Sequence, residues 1–145
     1  MERYCTYQDR CHQEVERKLL EMRMIPEARD LIILHLLQGD YLNETRFAQS
    51  FARGKFKTKR WGKKRILQEL KVRKISVFNQ KIALKEIEEN DYLDTFHTLA
   101  EKRWEQLDGE RSVQKKKKKF ADYLLYRGWE SDLIWAKIKE LTEKK

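Results

Sequence analysis

Apolar residues recur along the chain in one spacing that is used three times. Val15, Leu19, Met24, Ile33 and Leu36 return 51 residues later as Ile66, Leu70, Ile75, Leu84 and Ile87, and a further 54 residues on as Phe120, Leu124, Trp129, Ile138 and Leu141. Five columns held in register through two copies mark a tandem array of one helical unit. Stacked units bury their apolar faces against one another and act through the surface left exposed, so the functional question concerns a surface rather than a pocket.

The same pattern predicts the individual helices. The first runs from about Cys11 to Arg23 with Val15, Leu19 and Met22 on one face. Pro26 opens the second, since a proline N–H is not missed in a first turn, and Leu31, Leu34 and Leu37 supply its buried stripe. Gly39 and Asp40 end it. Asn43 is a good N-cap for a third helix with Phe47, Ala48 and Phe51, reaching about Thr58. Trp61 and Gly62 break the chain before a fourth helix with Ile66 and Leu70. Ser76 caps a fifth with Ile82, Leu84 and Ile87, and Asn90 and Asp91 close it. Tyr92, Leu93 and Asp94 mirror Tyr41, Leu42 and Asn43, so Asp94 is expected to cap the sixth helix, with Phe96, Leu99 and Ala100. Gly109 breaks the chain, a seventh helix spans about Ser112 to Arg127, Gly128 supplies a left-handed stop, and Glu130 or Ser131 begins the last helix. The expected fold is all-α: an elongated tandem array of three-helix repeats with about eight helices. Its units are 1–40, truncated to two helices, then 41–91 and 92–145 with three each.

Composition agrees. Of 145 residues 39% are charged, with one proline and five glycines, which favours helices with short connections over a turn-rich sheet. A chain of this size requires neither disulfide nor metal to fold. The longest apolar tract, Leu31 to Leu37, is interrupted by His35 and falls far short of the roughly 20 residues that span a bilayer, so no membrane contact is expected. The Met-Glu-Arg-Tyr start lacks the apolar core of an export signal, and a cytoplasmic location with Cys5 and Cys11 reduced is expected. His12, His35 and His97 are scattered, and no phosphate-cradling glycine loop, Cys-x-x-Cys pair or His-Glu-x-x-His helix occurs. Cys5, Cys11 and His12 lack a fourth metal ligand. Glu86, Glu88 and Glu89 fall at exposed helical positions. The expectation is no enzyme, with no catalytic residue, metal or cofactor.

Charge changes the picture more. The net charge of +9 is segregated: Arg53 to Lys74 holds eleven basic residues and one acid, Leu84 to Glu110 nine acids and three bases, and Arg111 to Arg127 seven bases and one acid. Segregation of this kind points to a polyanionic partner, solvated lysine-rich faces being the plainer alternative. Lys63, Lys64 and Arg65 precede the first apolar column of the second copy, and Lys117, Lys118 and Lys119 that of the third; the first copy has His12, Gln13 and Glu14 there. Cations at a helix N-terminus oppose the macrodipole by roughly 0.3 to 1 kcal/mol each, which argues that something other than folding accounts for them. Lys115 to Lys119 sweep about 400° of helix, so that turn is expected to project into solvent, with the stem of Lys116 or Lys117 covering apolar surface between Val113 and Phe120. Disorder over Gly109 to Lys117 is the competing reading.

Among the aromatics, Phe47, Phe51, Phe120 and Trp129 sit at core positions. Phe56 and Trp61 instead lie among cations, where they could stack on bases while phosphates are neutralised, or Trp61 could plug a helix corner. The candidate nucleic-acid or filament face comprises Lys55, Lys57, Lys59, Arg60, Lys63, Lys64, Arg65, Lys115, Lys116, Lys117, Lys118 and Lys119.

One stretch carries a family resemblance. Leu42, Asn43, Glu44, Thr45, Arg46, Phe47 and Ala48, then Gly62, Arg65, Ile66, Glu69, Leu70 and Ile75, resemble the middle repeat of the bacterial recombination regulator RecX. That repeat typically reads Leu-Asp-Asp-x-Arg-Phe-Ala, a basic stretch, Gly-x-x-Arg-Ile, Glu-Leu, then Gly and an apolar residue. The resemblance covers about residues 10 to 141. Asn43 and Glu44 replace the paired aspartates, Cys11 stands where a capping serine is common, and Arg23 and Lys74 stand where glycine is frequent, whereas Gly128 is kept. The resemblance implies a non-enzymatic, monomeric modulator of the RecA recombinase that binds the RecA filament on DNA and suppresses ATPase and strand exchange. The basic patches would meet DNA and the acidic segment, Glu86 to Glu110, would meet protein. A general nucleic-acid-binding helical module acting on no recombinase is the alternative.

Overall fold

The structure, a computed structural model, describes residues 1–143. Among these residues all regular structure is helical: α1 Glu2–Tyr7, α2 His12–Glu21, α3 Pro26–Gln38, α4 Glu44–Gly54 continued by a π-helical turn Lys55–Lys59, α5 Lys63–Val72, α6 Val77–Leu84, α7 Glu89–Gln106, α8 Val113–Tyr126 and α9 Ser131–Glu143. The count exceeds the expected eight because of α1. Six residues do not sustain a helix by themselves. Tertiary packing holds this one: Cys5 is buried with Val15, Leu19, Ile33, Leu36 and Leu42, Met1 and Tyr4 pack against that cluster, and Glu2 meets His35 at 2.6 Å.

Packing divides the chain into two compact units, one of Met1–Arg53 with Glu69–Glu86 and one of Gly54–Gln68 with Ile87–Lys145. The core of the second unit is aromatic. Trp129 lies 4.6 Å from Tyr92 and 5.4 Å from Phe96 between ring centroids, and Trp104 meets Phe120 edge-on at 5.3 Å.

The repeated apolar columns are the buried positions. Twelve of the fifteen are buried and Met24, Leu84 and Leu141 are half-buried. Two of the columns have a local reason. After α2, α5 and α8 the chain turns through left-handed Arg23 (φ 58°), Lys74 (φ 59°) and Gly128 (φ 90°). In each turn the next N–H reaches back to the carbonyl five residues before it, Met24 to Leu19, Ile75 to Leu70 and Trp129 to Leu124, at 3.1 to 3.2 Å. That is the Schellman stop, whose flanking apolar pair is the second and third column. Arg23 and Lys74 therefore hold the positive φ that glycine would hold more easily. The caps Asn43, Ser76 and Ser112 accept from the N–H groups of Arg46, Asn79 and Lys115 at 2.9, 3.2 and 3.3 Å.

Two expectations need correction. Met22, Leu31, Leu34 and Leu37 are 49%, 69%, 49% and 45% exposed, and α3 buries Ile33 and Leu36 instead. Six apolar residues within Leu31 to Leu37 leave that helix apolar on every side, so periodicity selects no face. Asp94 caps nothing: α7 already begins at Glu89, with Asn90 and Asp91 in its first turn, and α6 ends at Leu84. The local mirror of Tyr41 to Asn43 continues helically here.

A side chain on Gly128 would run into the backbone of Arg65. Gly128→Ala is expected to destabilise by about 3 kcal/mol or more, combining the left-handed penalty with overpacking. Lys74→Gly, at the equivalent turn, should be neutral to about 1 kcal/mol stabilising. Urea unfolding of both variants checks the contrast.

Candidate nucleic-acid interface

The cations of the second unit are placed by a joint between α5 and α8. Helix termini leave N–H groups at one end and carbonyls at the other without partners. Here they satisfy each other: Gly62 N–H donates to Arg127 O at 2.8 Å and Lys64 N–H to Gly128 O at 3.1 Å. The Trp129 indole N–H donates to Arg60 O at 3.2 Å. Gly62 and Gly128 touch backbone to backbone, with no room for a Cβ on either.

This joint gives Lys63 and Arg65 a structural reason that the sequence did not show. The Arg65 guanidinium donates to Tyr126 O at 3.1 Å, so the cation that opposes the α5 dipole favours the carbonyl end of α8. Lys63 pairs with Glu89 at 3.1 Å and lies 4.5 Å over the Tyr92 ring. Its backbone N–H donates to the Tyr92 hydroxyl at 2.9 Å, which donates to Glu130 at 2.6 Å. Burial and the Glu130 carboxylate push the Tyr92 phenol well above its ordinary range. Lys64 is exposed.

The π-helical turn carries the next group. It ends at Arg60 in the left-handed region (φ 54°), and the Thr58 hydroxyl steadies it by donating to Gly54 O at 2.7 Å. Lys57, Lys59 and Arg60 are exposed and Lys55 is half-buried. Trp61 is half-buried, with the Lys55 ammonium 5.3 Å and the Arg65 guanidinium 4.4 Å from its ring. Phe56 lies against Tyr92 at 5.9 Å and lines a cleft with Lys57, Arg60, Asp94, Thr95 and Thr98.

The five lysines of α8 differ among themselves. Lys116 is 7% exposed, its ammonium 3.0 Å from Asp108 and 4.1 Å over the Trp104 ring. It is the snorkelling lysine. Lys118 pairs with Asp122 at 2.9 Å and Lys119 with Glu110 at 2.7 Å, and Lys119 holds the Glu110 carboxyl below its usual range. Lys115 is exposed and Lys117 half-buried. The run occupies the first two turns of α8 and the Lys63 to Arg65 block meets its last, about 14 Å further along the axis.

Charge segregated in sequence is thus partly folded onto itself. Arg53 with Glu86, Lys63 with Glu89, Lys116 with Asp108 and Lys119 with Glu110 each join a basic segment to the acidic one, and Lys137 of α9 pairs with Glu101. Sequence reasoning missed a second basic cleft of about 240 Å³. It is lined by Lys59 and Arg60 from the turn, Lys102 and Arg103 from α7, and Tyr123 and Arg127 from α8, with no carboxylate. The only hint was the Lys102-Arg103 pair interrupting an acidic run.

Among the described residues no group of three or more His, Cys, Asp or Glu side chains could hold a metal ion, and no helix is long and apolar enough to cross a membrane. Cys5 and Cys11 are free thiols, buried, and burial pushes the Cys11 thiol up to about 11.

The second three-helix domain of RecX matches residues 43–84 and the third matches residues 89–145. The chain belongs to the RecX family. It is 28% identical over 147 residues to a regulatory protein RecX of Bacillus cytotoxicus, covering 98% of this chain and 52% of the relative, so it spans about half the length of that curated relative. The crystal structure of RecX from Lactobacillus salivarius superposes with a TM-score of 0.77 at 29% identity, over 96% of this chain and 90% of that one. A second crystal structure, of a regulatory protein RecX, shares the fold at TM-score 0.81 and 22% identity, over 94% and 68% of the two chains.

The residues of the RecX resemblance serve the fold. Leu42, Phe47, Ala48, Ile66 and Leu70 are buried, Glu44 lies in the first turn of α4, and Glu69 pairs with Arg73 at 2.9 Å. Arg46 pairs with Asp9 at 2.6 Å and Asp40 at 3.0 Å and donates to Asp40 O at 2.8 Å.

Removing the Tyr92 hydroxyl leaves the Lys63 N–H and Glu130 without their partner. Tyr92→Phe is expected to lower stability by about 1 to 3 kcal/mol, read as a shift of the urea midpoint at unchanged slope.

Proposed function

We propose that this RecX-family chain regulates the RecA recombinase by binding the RecA–DNA filament and restraining its ATPase and strand-exchange activity, with no chemistry of its own. The observation that carries the reading is the pair of RecX domain matches over residues 43–84 and 89–145. Three repeats act within one monomer in the cytoplasm, the third beginning with α7 at Glu89 and not at residue 92. Lys55, Lys57, Lys59, Arg60, Lys63, Lys64, Arg65, Lys115, Lys117, Lys118 and Lys119 supply the positive face toward DNA; Lys116, expected there from the sequence, is instead buried over Trp104 and paired with Asp108. A regulator of this kind shifts a filament between states by binding one of them more tightly, which requires no active site.

A second reading is favoured by the exposed cations of the π-helical turn: a general nucleic-acid-binding module acting on no recombinase. Both readings give DNA affinity that falls roughly 10³-fold between 50 and 200 mM salt if about six phosphates are contacted. They part on protein contact.

With RecA from the same organism on single-stranded DNA, ATP hydrolysis is expected to fall progressively as the protein is added, and RecA should be retained on the immobilised chain after nuclease treatment. Unchanged hydrolysis at saturation, with nuclease-sensitive retention, would leave only the general module.

A further inference from the structure

Among the cations of the second unit that form no ion pair, five converge on one cleft. Lys63, Lys116, Lys118, Lys119 and Lys137 all pair with carboxylates. Lys59, Arg60, Lys102, Arg103 and Arg127 form no ion pair among the described residues and line the 240 Å³ cleft together. Tyr123 carries two of them, with the Arg127 guanidinium 3.8 Å and that of Arg103 4.6 Å from its ring centre. Two like charges are therefore held on one ring with nothing opposite them. Arg103 also has a buried Nε–H with no acceptor among the described residues, while another of its nitrogens donates to Gln106 at 3.4 Å. A buried, unpaired donor is uncommon in a folded protein, and here it lies among positive charges, a setting that suits an anionic acceptor.

We propose that this cleft is a phosphate seat for single-stranded nucleic acid, and that it carries more of the affinity for the strand than the lysine run Lys115 to Lys119 does. Guanidinium forks match phosphate oxygens, and the Tyr123 ring, occupied by two of them, positions the forks. The neighbouring cleft shares Arg60 and adds the Phe56 ring with Thr95 and Thr98. A phosphate beside an aromatic surface is the arrangement that takes backbone and base of an unpaired strand. The left-handed conformation of Arg60 fits a ligand clamp, where such backbone is concentrated. The proposal rests on the nucleic-acid side of the function proposed above and is independent of the recombinase.

The test is fluorescence anisotropy of a labelled oligothymidine with the full chain, at several salt concentrations, with helical circular dichroism and thermal melting of each variant. Arg103→Gln with Arg127→Gln is expected to weaken binding about tenfold or more and to flatten the log K against log salt slope by about 1.4, as for two lost phosphate contacts. Lys115→Gln, Lys118→Gln and Lys119→Gln together should cost about threefold or less, being exposed and partly paired. Tyr123→Leu should weaken binding without changing the charge, and Tyr123→Phe should restore it. Should the double arginine variant melt early, Lys59→Gln with Lys102→Gln gives the same reading. Wild-type affinity in the cleft variants, or a larger loss from the lysine-run variant, overturns the proposal. So does inorganic phosphate or pyrophosphate that binds the cleft while oligothymidine affinity is untouched, which would mark a free-anion site. Cleft-dependent strand binding by a chain without effect on RecA hydrolysis removes the recombinase reading alone.

Discussion

The back-to-back contact of Gly62 and Gly128 is the constraint on which the second unit depends. Helix ends expose unpaired donors and acceptors, and burying them unsatisfied would be costly. Here the first turn of α5 and the last turn of α8 meet so closely that Gly62 N–H and Lys64 N–H bond to the carbonyls of Arg127 and Gly128. Only residues without a Cβ allow that approach, and Gly128 also provides the left-handed turn that ends α8. The indole of Trp129, one residue on, then reaches Arg60 O and fixes the end of the π-helical turn. Arg60, Arg65 and Arg127 therefore owe their positions to two glycines.

Electrostatics follow from the same packing. The positive end of α5 faces the negative end of α8, so Arg65 is accommodated where the isolated helix would disfavour it. The acidic α7 lies among basic partners: its carboxylates neutralise Lys63 and Lys137, and Asp108, just past its end, neutralises Lys116. Where such pairs are exposed they add little stability. Their consequence is selection: they decide which cations remain available to a polyanion. The cleft cations remain, whereas three of the five lysines in the most conspicuous basic run are engaged. The residues that resemble RecX most closely, by contrast, mainly build α4 and α5, so the same motif that identifies the family says more about its fold than about its ligand.

The sequence by itself determined the helical class, most helix boundaries, the buried columns and the three equivalent turns, because each is a short-range property. Helical periodicity, capping by Asn43, Ser76 and Ser112, and the Schellman stops at Arg23, Lys74 and Gly128 need only a few neighbouring residues. It failed where local signals were degenerate. The apolar run of α3 offers no preferred face, and Asp94 repeats the residues of a cap inside a continuous helix. Only the tertiary structure decided which cations share a surface. Charge adds along a sequence but cancels in space, and Lys102, Arg103 and Arg127, in segments of opposite sign, come together with Lys59 and Arg60 only when α7, α8 and the π-helical turn pack.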